Sequence, residues 1–314
     1  MKKRGTATVV KHTGSHYLLS ELPQWEPFTA VIRGKTRLES SKSTNPVAVG
    51  DIVEYCTDGE QNGGTAVISR ICPRRNGIVR KSTNLSKESH VIAANIDKVF
   101  LLTTVILPET KLEFVDRFLT SCEAYGVHPV ILINKRDLYN DEPVLAQMKL
   151  FEEIYRGAGY EVKEISTLDG TGIDDIREMC RNSISLFSGA SGVGKSSLLK
   201  ALDPTLNPKI GDISTSHLQG KHTTTFYEMH PLQGGGFVID TPGIRGFGLV
   251  NISPEELSTY FPEMLRVMDN CRFKPCTHTH EPHCAVKQAV ESGEISVERY
   301  NSYLGMLDEG SKYR

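Results

Sequence analysis

No segment of this 314-residue sequence is long and apolar enough to cross a bilayer as a helix. The most apolar stretch, residues 99–107, falls well short of the roughly twenty residues a span needs. Met1-Lys2-Lys3-Arg4 is basic, but no apolar run follows it as a secretory leader requires. Internal repeats and low-complexity tracts are missing, so nothing in the pattern asks for a solenoid or a disordered tail. A disulfide framework is also missing. The cysteines number seven, an odd count, and three of them cluster with histidines. In a chain of this length that pattern points to metal and a reducing compartment. The expectation is a soluble, cytoplasmic protein without a membrane partner, and nothing demands more than a monomer.

What is present fits that expectation. Charged residues make up 24% and hydrophobic residues 39%, the balance of globular proteins, and the length allows two or three domains. The formal net charge of −2 hides an asymmetry. Residues 1–90 carry 14 Lys/Arg against 8 Asp/Glu, whereas the remainder carries 22 against 30. A basic first third points to an anionic partner such as RNA.

Residues 1–75 read as about five short β-rich runs separated by turns at Gly14, Gly34, Gly50 and Asn62-Gly63-Gly64. That spacing predicts a small barrel, OB-like or SH3-like, with Arg33, Lys35 and Arg37 placed to follow phosphates. Residues 76–90 are polar, basic and rich in Ser and Asn, and read as a linker. From 91 to 250 apolar strands alternate with amphipathic helices, which predicts a parallel sheet covered on both faces. Residues 251–314 read as a mostly helical segment, opening with Pro254-Glu255-Glu256 behind Ser253 as N-cap and closing with a helix near 296–307. Cys56, Cys72, Cys122 and Cys180 are scattered and read as small core residues.

Two motifs follow strands of the α/β region, where such sheets bind ligands. Gly189-Ala190-Ser191-Gly192-Val193-Gly194-Lys195-Ser196-Ser197 contains the phosphate-loop pattern G-x-x-x-x-G-K-[ST]. Its glycines let backbone N–H groups converge on phosphates, Lys195 reaches the β- and γ-phosphates, and the Ser196 hydroxyl ligates Mg²⁺. Asn134-Lys135-Arg136-Asp137 reads as N-K-x-D, whose Asp137 accepts two N–H bonds that guanine offers and adenine does not. Ser166-Thr167 falls where GTPases carry a Ser-Ala pair, with threonine as the departure. Asp240-Thr241-Pro242-Gly243 matches D-x-x-G, with Asp240 on Mg²⁺ and the Gly243 N–H sensing the γ-phosphate. Between these motifs, one of Thr223, Thr224 and Thr225, with Thr224 preferred, is expected to ligate Mg²⁺. The guanine reader precedes the phosphate loop by about fifty residues, the reverse of an ordinary GTPase, so the domain is circularly permuted.

Ile244 stands where many GTPases place a water-orienting glutamine. An aliphatic side chain cannot orient the attacking water, so intrinsic hydrolysis should be slow. His222 is the nearest polar candidate for that role, alone or placed by a partner.

Cys271-x4-Cys276-x-His278-x5-Cys284 offers three thiolates and an imidazole, a closed tetrahedral set for one structural Zn²⁺ with no open catalytic position. His280 and His283 are rival ligands to His278. Few apolar residues separate the ligands, so the knuckle should depend on metal to fold.

Taken together, these motifs resemble the ribosome small subunit-dependent GTPase A family (RsgA, YjeQ/YloQ). The resemblance spans essentially the whole chain, from the barrel to the Cys271/Cys276/His278/Cys284 spacing. It implies a Mg²⁺-dependent GTPase that binds GTP and GDP, contacts 16S rRNA, acts late in 30S subunit maturation and is activated by the 30S subunit.

Overall fold

The structure, a computed structural model, describes residues 3–13, 16–32, 47–57, 65–81, 89–206, 228–240 and 252–312. The chain forms two compact units that interleave along the sequence. One comprises Met1–Val99, Ile173–Ser188 and Lys195–Gly246; the other comprises Phe100–Gly172, Gly189–Gly194 and Phe247–Arg314. Among the described residues, no helix is long and apolar enough to cross a membrane.

In the first unit, strands β1 (Lys3–His12), β2 (Tyr17–Ser20), β3 (Phe28–Ile32), β4 (Ile52–Thr57) and β5 (Ala66–Ile71) close into a barrel. β1, β2 and β3 pair antiparallel, β3 and β5 pair parallel, β5 and β4 pair antiparallel, and β4 returns to β1. This order, 1-2-3-5-4-1, is that of an OB barrel rather than an SH3-like one. Every second residue turns inward: Ala7 and Val9, Val53 and Tyr55, and Ala66 and Ile68 share one core. Beyond the barrel, β1 pairs at Lys11 with Glu228 of a later strand, reinforced by a 2.7 Å ion pair.

The stretch read as a linker is strand in part. β6 (Gly77–Lys81) pairs antiparallel with β7 (Ser89–Ala94). Its composition misled because the polar residues sit between the two strands. The hairpin is tied to the barrel through backbone: Ala94 N–H donates to the Val49 carbonyl and Asn95 Nδ2 to the Gly50 carbonyl, each at 2.9 Å. Gly50 has φ +90°, and a Cβ there would lie 2.0 Å from the Ala94 oxygen, so no other residue fits. Nearby, the buried Asp51 carboxylate accepts from Arg74 at 2.6 and 2.7 Å and from the Ala48 N–H at 2.7 Å.

The α/β region follows the expected alternation: β8 (Lys98–Thr103), α1 (Leu112–Tyr125), β9 (Pro129–Ile133), α2 (Glu142–Ala158), β10 (Glu161–Glu164), α3 (Ile173–Cys180), β11 (Ile184–Gly189) and α4 (Lys195–Leu202). β12 (Glu228–Pro231) and β13 (Phe237–Asp240) complete it. In the second unit β8 lies beside β9, and β9 pairs parallel with β10. β9 is buried along its whole length, as a central parallel strand requires. In the first unit β11 runs parallel to β13, and β12 returns antiparallel. Cys122 and Cys180 are buried core residues as expected, whereas Cys56 and Cys72 in the barrel are only half-buried.

The C-terminal segment begins differently from its sequence reading. In place of an α-helix from Pro254, residues 254–256 form a turn and Leu257–Tyr260 a single 3-10 turn. Ser253 is not its N-cap: that position is Glu256, without a side-chain cap bond, and the Ser253 N–H and Oγ instead donate to Glu256 Oε2 at 3.4 and 3.0 Å. The run ends because Phe261 precedes a proline and is extended, with φ −114° and ψ 100°. Then come α5 (Pro262–Leu265), α6 (Ala285–Glu291) and α7 (Val297–Lys312). Leu257, Phe261, Met264, Val286, Ile295 and Tyr303 share a core with Cys271 and Cys284.

A buried charge cluster joins this segment to α1 and α2 within the same unit. Arg299 on α7 donates from Nε to Glu263 Oε1 at 2.7 Å and from a terminal nitrogen to Asp116 Oδ1 of α1 at 2.9 Å. Its guanidinium lies 4.6 Å from the Phe261 ring centroid, and the Tyr155 hydroxyl of α2 also donates to Asp116 Oδ1 at 2.9 Å. Burial raises the Asp116 carboxyl above its ordinary range, with Arg299 opposing.

Candidate functional site

The Asn134-Lys135-Arg136-Asp137 motif lies where β9 ends, and its residues do different things. Lys135 adopts the left-handed conformation (φ 66°) and starts the 3-10 turn Arg136–Leu138, which swings Asp137 back toward β10. Asn134 is fully buried, and its side-chain amide is committed to backbone. Nδ2 donates to the Val193 carbonyl of the phosphate loop at 2.8 Å, and Oδ1 accepts from the Thr167 N–H at 3.3 Å. Asn134 is therefore a brace that ties the phosphate-loop motif to the loop after β10. Tyr139 supports it from below: its buried hydroxyl donates to the Asn134 carbonyl at 2.6 Å and accepts from the Val105 N–H at 3.0 Å.

Asp137 is aimed by Ser166, whose buried hydroxyl donates to Asp137 Oδ1 at 2.6 Å. The same Ser166 oxygen accepts from the Leu168 and Asp169 N–H groups, both at 3.3 Å, and so shapes the loop after β10. One Asp137 oxygen is held and the carboxylate is only partly buried, an arrangement suited to a second, incoming pair of donors. Arg136 faces away from this work, bonded to Glu164 Oε2 at 2.6 Å and to the Tyr139 carbonyl at 3.0 Å.

The phosphate loop follows β11. Val193 is fully buried and anchors it, while Ala190, Ser191 and Gly192 stay accessible. Gly194 has φ +100°, and a Cβ there would stand 2.3 Å from Asn134 Nδ2. Gly189 is a close approach of backbone: a Cβ would meet the Leu102 oxygen at 2.7 Å. Lys195, Ser196 and Ser197 follow immediately as the first turn of α4, where helix N–H groups and the dipole favour an anion. In the first unit, parallel pairing of β11 and β13 brings the strand before the phosphate loop beside the strand that ends in Asp240. Gly243, Ile244, His222 and Thr223–Thr225 lie outside the described residues, as do Gly34, Arg33, Lys35 and Arg37 of the barrel.

Sequence reading missed the loop after β8. Thr104 and Thr110 close it with reciprocal bonds: Thr104 N–H donates to Thr110 Oγ1 at 3.0 Å and Thr110 N–H to the Thr104 carbonyl at 2.9 Å. At its tip Leu107 takes a left-handed φ of 55° and accepts a hydrogen bond from Lys135 Nζ, and a Cβ on Gly192 would lie 3.4 Å from Pro108 Cδ. The loop thus joins the N-K-x-D lysine to the phosphate loop. Its only sequence signal was a pair of threonines six residues apart.

At the C-terminal cluster, Cys271, Cys276, His278 and Cys284 place four donor atoms within 4.8 Å of one another. His278 Nδ1 lies 3.6 Å from Cys271 Sγ and 3.4 Å from Cys284 Sγ, and the two sulfurs are 3.9 Å apart. Four ligands at about 2.0–2.3 Å from one ion stand about 3.3–3.8 Å apart, so this donor set fits a tetrahedral metal. Burial pushes the Cys276 thiol up to about 12, and the neighbouring thiols add to it; a dication would reverse that preference. His278 Nε2 is buried without a hydrogen-bond partner among the described residues. The rivals His280 and His283 are exposed, and His280 Nδ1 is engaged with Thr279 Oγ1 at 2.9 Å.

Comparison with known proteins agrees with this reading. Residues 71–250 match the family model described as RsgA GTPase. A Bacteroides fragilis protein named small ribosomal subunit biogenesis GTPase RsgA is 49% identical over 308 residues, covering 98% of each chain. Its Flavobacterium psychrophilum namesake is 46% identical over 96% of this chain and 92% of the relative. Among solved structures, YjeQ from Thermotoga maritima superposes with a TM-score of 0.79 at 36% identity, covering 99% of this chain and all of the other. The circularly permuted GTPase YloQ gives 0.76 at 28% identity, over 99% and 96% of the two chains. With the motif order, the barrel and the Cys/His knuckle already in place, these matches make the chain a member of the RsgA GTPase family, a circularly permuted, GTP-hydrolysing enzyme.

Proposed function

We propose that this GTPase acts in the biogenesis of the small ribosomal subunit, and that docking on the 16S rRNA of a 30S particle completes its active site. The names of the relatives support the first half of this reading. The single observation that carries the second is Ile244 in the position of the water-orienting glutamine. A preformed guanine pocket behind an incomplete hydrolytic centre is the design of an enzyme that waits for a partner.

The residues divide as follows. Asp137 selects guanine, with Ser166 aiming it and Asn134, Lys135 and Arg136 building its turn. Residues 189–194 wrap the phosphates with backbone N–H groups, and Lys195 neutralises charge as the γ-phosphoryl departs. Mg²⁺, bound with GTP through Ser196, Thr224 and Asp240, would supply further charge neutralisation. The Gly243 N–H reports the γ-phosphate, and His222 orients the attacking water once RNA contacts position it. One Zn²⁺ on Cys271, Cys276, His278 and Cys284 holds the C-terminal domain in shape. The barrel (1–75) and the zinc domain (251–314) flank the GTPase domain (91–250) and grip RNA. The protein works in the cytoplasm as a monomer.

Steady-state GTP hydrolysis by the protein alone, with 30S subunits and with 50S subunits tests the reading. Strong stimulation by 30S alone is expected; equal rates in all three would overturn it. Base selection is checked separately: Asp137→Asn should move preference toward xanthosine nucleotides, and unchanged use of GTP would remove Asp137 from that role.

A further inference from the structure

Between the first two metal-ligating cysteines stands Arg272-Phe273-Lys274-Pro275. Phe273 is 44% exposed, the only aromatic among the large exposed hydrophobic side chains of the described residues. The Arg272 guanidinium lies against it, 5.8 Å from the ring centroid, and Arg272 has no carboxylate partner among the described residues. Lys274, next in the chain, has a side chain 68% exposed and pairs with the exposed Asp269 at 3.3 Å. The backbone beneath is fixed twice, by Cys271 and Cys276 at either end and by the Arg272 N–H donating to the His283 carbonyl at 3.4 Å. The exposed His283 meets the same loop through that carbonyl.

An aromatic ring left half in water, with a cation on each side of it in the chain, has a specific chemical match. The face of an unstacked base covers the ring, and its flanking phosphates meet the cations. A duplex offers phosphates but no free base face. We propose that the 272–274 loop is a stacking platform for an unpaired RNA nucleotide, with Phe273 under the base and Arg272 and Lys274 on the adjoining phosphates. This rests on the reading that the protein works on ribosomal RNA, and specifies what it takes hold of there: single-stranded, splayed-out RNA.

The test is equilibrium binding of the intact, metal-loaded protein to a fluorescent single-stranded RNA of about twelve nucleotides, and to a duplex of the same sequence. Phe273→Ala should weaken single-strand binding about tenfold and leave the duplex within about twofold. Phe273→Trp should restore it, and Phe273→Leu, which keeps apolar bulk but no ring, should not. Arg272→Gln should weaken both RNAs and flatten the salt dependence. Metal content, melting temperature and unstimulated GTP hydrolysis should stay unchanged in every variant. Equal single-strand affinity for the wild type and Phe273→Ala overturns the platform while leaving the RNA reading standing. A wild-type protein that binds neither RNA nor 30S subunits overturns both.

Discussion

The N-K-x-D loop, the guanine pocket of the proposed reading, and the Cys/His knuckle lie in one compact unit, and both are short loops shaped by buried polar atoms. They differ in what satisfies those atoms. In the pocket the protein does so itself: Asn134 ties Val193 to Thr167, Ser166 ties Asp137 to the loop after β10, and Tyr139 ties Asn134 to Val105. In the knuckle three thiols crowd one imidazole nitrogen, His278 Nδ1, with no other group between them among the described residues. The pocket can therefore exist before nucleotide arrives, which lowers the ordering cost of binding. On the proposed reading the knuckle depends on a cation to fold.

The strongest way to break this comparison is to remove the metal. Chelation, or Cys284→Ser, should cost several kcal/mol of C-terminal folding free energy, since structural zinc sites in small domains contribute on the order of 10 kcal/mol. Hydrogen exchange should rise across residues 271–312, while affinity for GDP falls by less than about tenfold, a limit of about 1.4 kcal/mol. Unchanged exchange would mean that the core around Phe261 and Tyr303 folds without an ion.

Next in size is Arg299→Met. It strands Asp116 and Glu263 as buried, uncompensated carboxylates, and loss of one partner from such a cluster costs about 3–5 kcal/mol. Denaturant unfolding measures this directly. Adding Asp116→Asn and Glu263→Gln should recover most of it; a Met variant as stable as wild type would show that the cluster adds nothing.

Asn134→Ala probes the pocket. It leaves the Val193 carbonyl and the Thr167 N–H without their buried partner, at about 1–3 kcal/mol each. Guanine nucleotide affinity should drop about 10–100-fold, with base preference unchanged, because the asparagine braces the site rather than reading the base. A change in base preference measured by competition with inosine and xanthosine nucleotides would assign it a reading role instead.

Local features were legible in the sequence. The phosphate loop and N-K-x-D each sit in a few consecutive residues, and the strands before them are continuous apolar runs. Non-local features were hidden. The choice of OB over SH3-like depends on β3 pairing parallel with β5 and β4 closing on β1, which strand spacing does not encode. The β6–β7 hairpin was masked by its polar intervening residues. Arg299 reaches a carboxylate 183 positions away, and nothing local marks that arginine as buried. The loop closed by Thr104 and Thr110 carries no motif, because its contribution is made by backbone and by Lys135.

The smallest effect concerns how the knuckle is braced around its donor set. Glu281 accepts three hydrogen bonds, from the Thr277 N–H, the Thr277 hydroxyl and the Thr279 N–H. Partial burial works against its charge, but these donors outweigh it and bring the carboxyl from the ordinary 4.5 to about 2. A carboxylate with a depressed folded-state value stabilises the fold above its unfolded value, and that contribution is lost as pH falls through the folded one. Glu281→Gln keeps the shape and removes the charge, so it should cost on the order of 1 kcal/mol at neutral pH. The gap between variant and wild type should stay constant down to about pH 4.5 and close between there and about 2. Acid also strips metal from thiolates, so each pH is read as a difference between the two proteins, in exchange protection of residues 277–281. A gap that is already absent at neutral pH would place the bracing in the metal alone, and a gap that persists below about pH 2 would assign it to shape rather than charge.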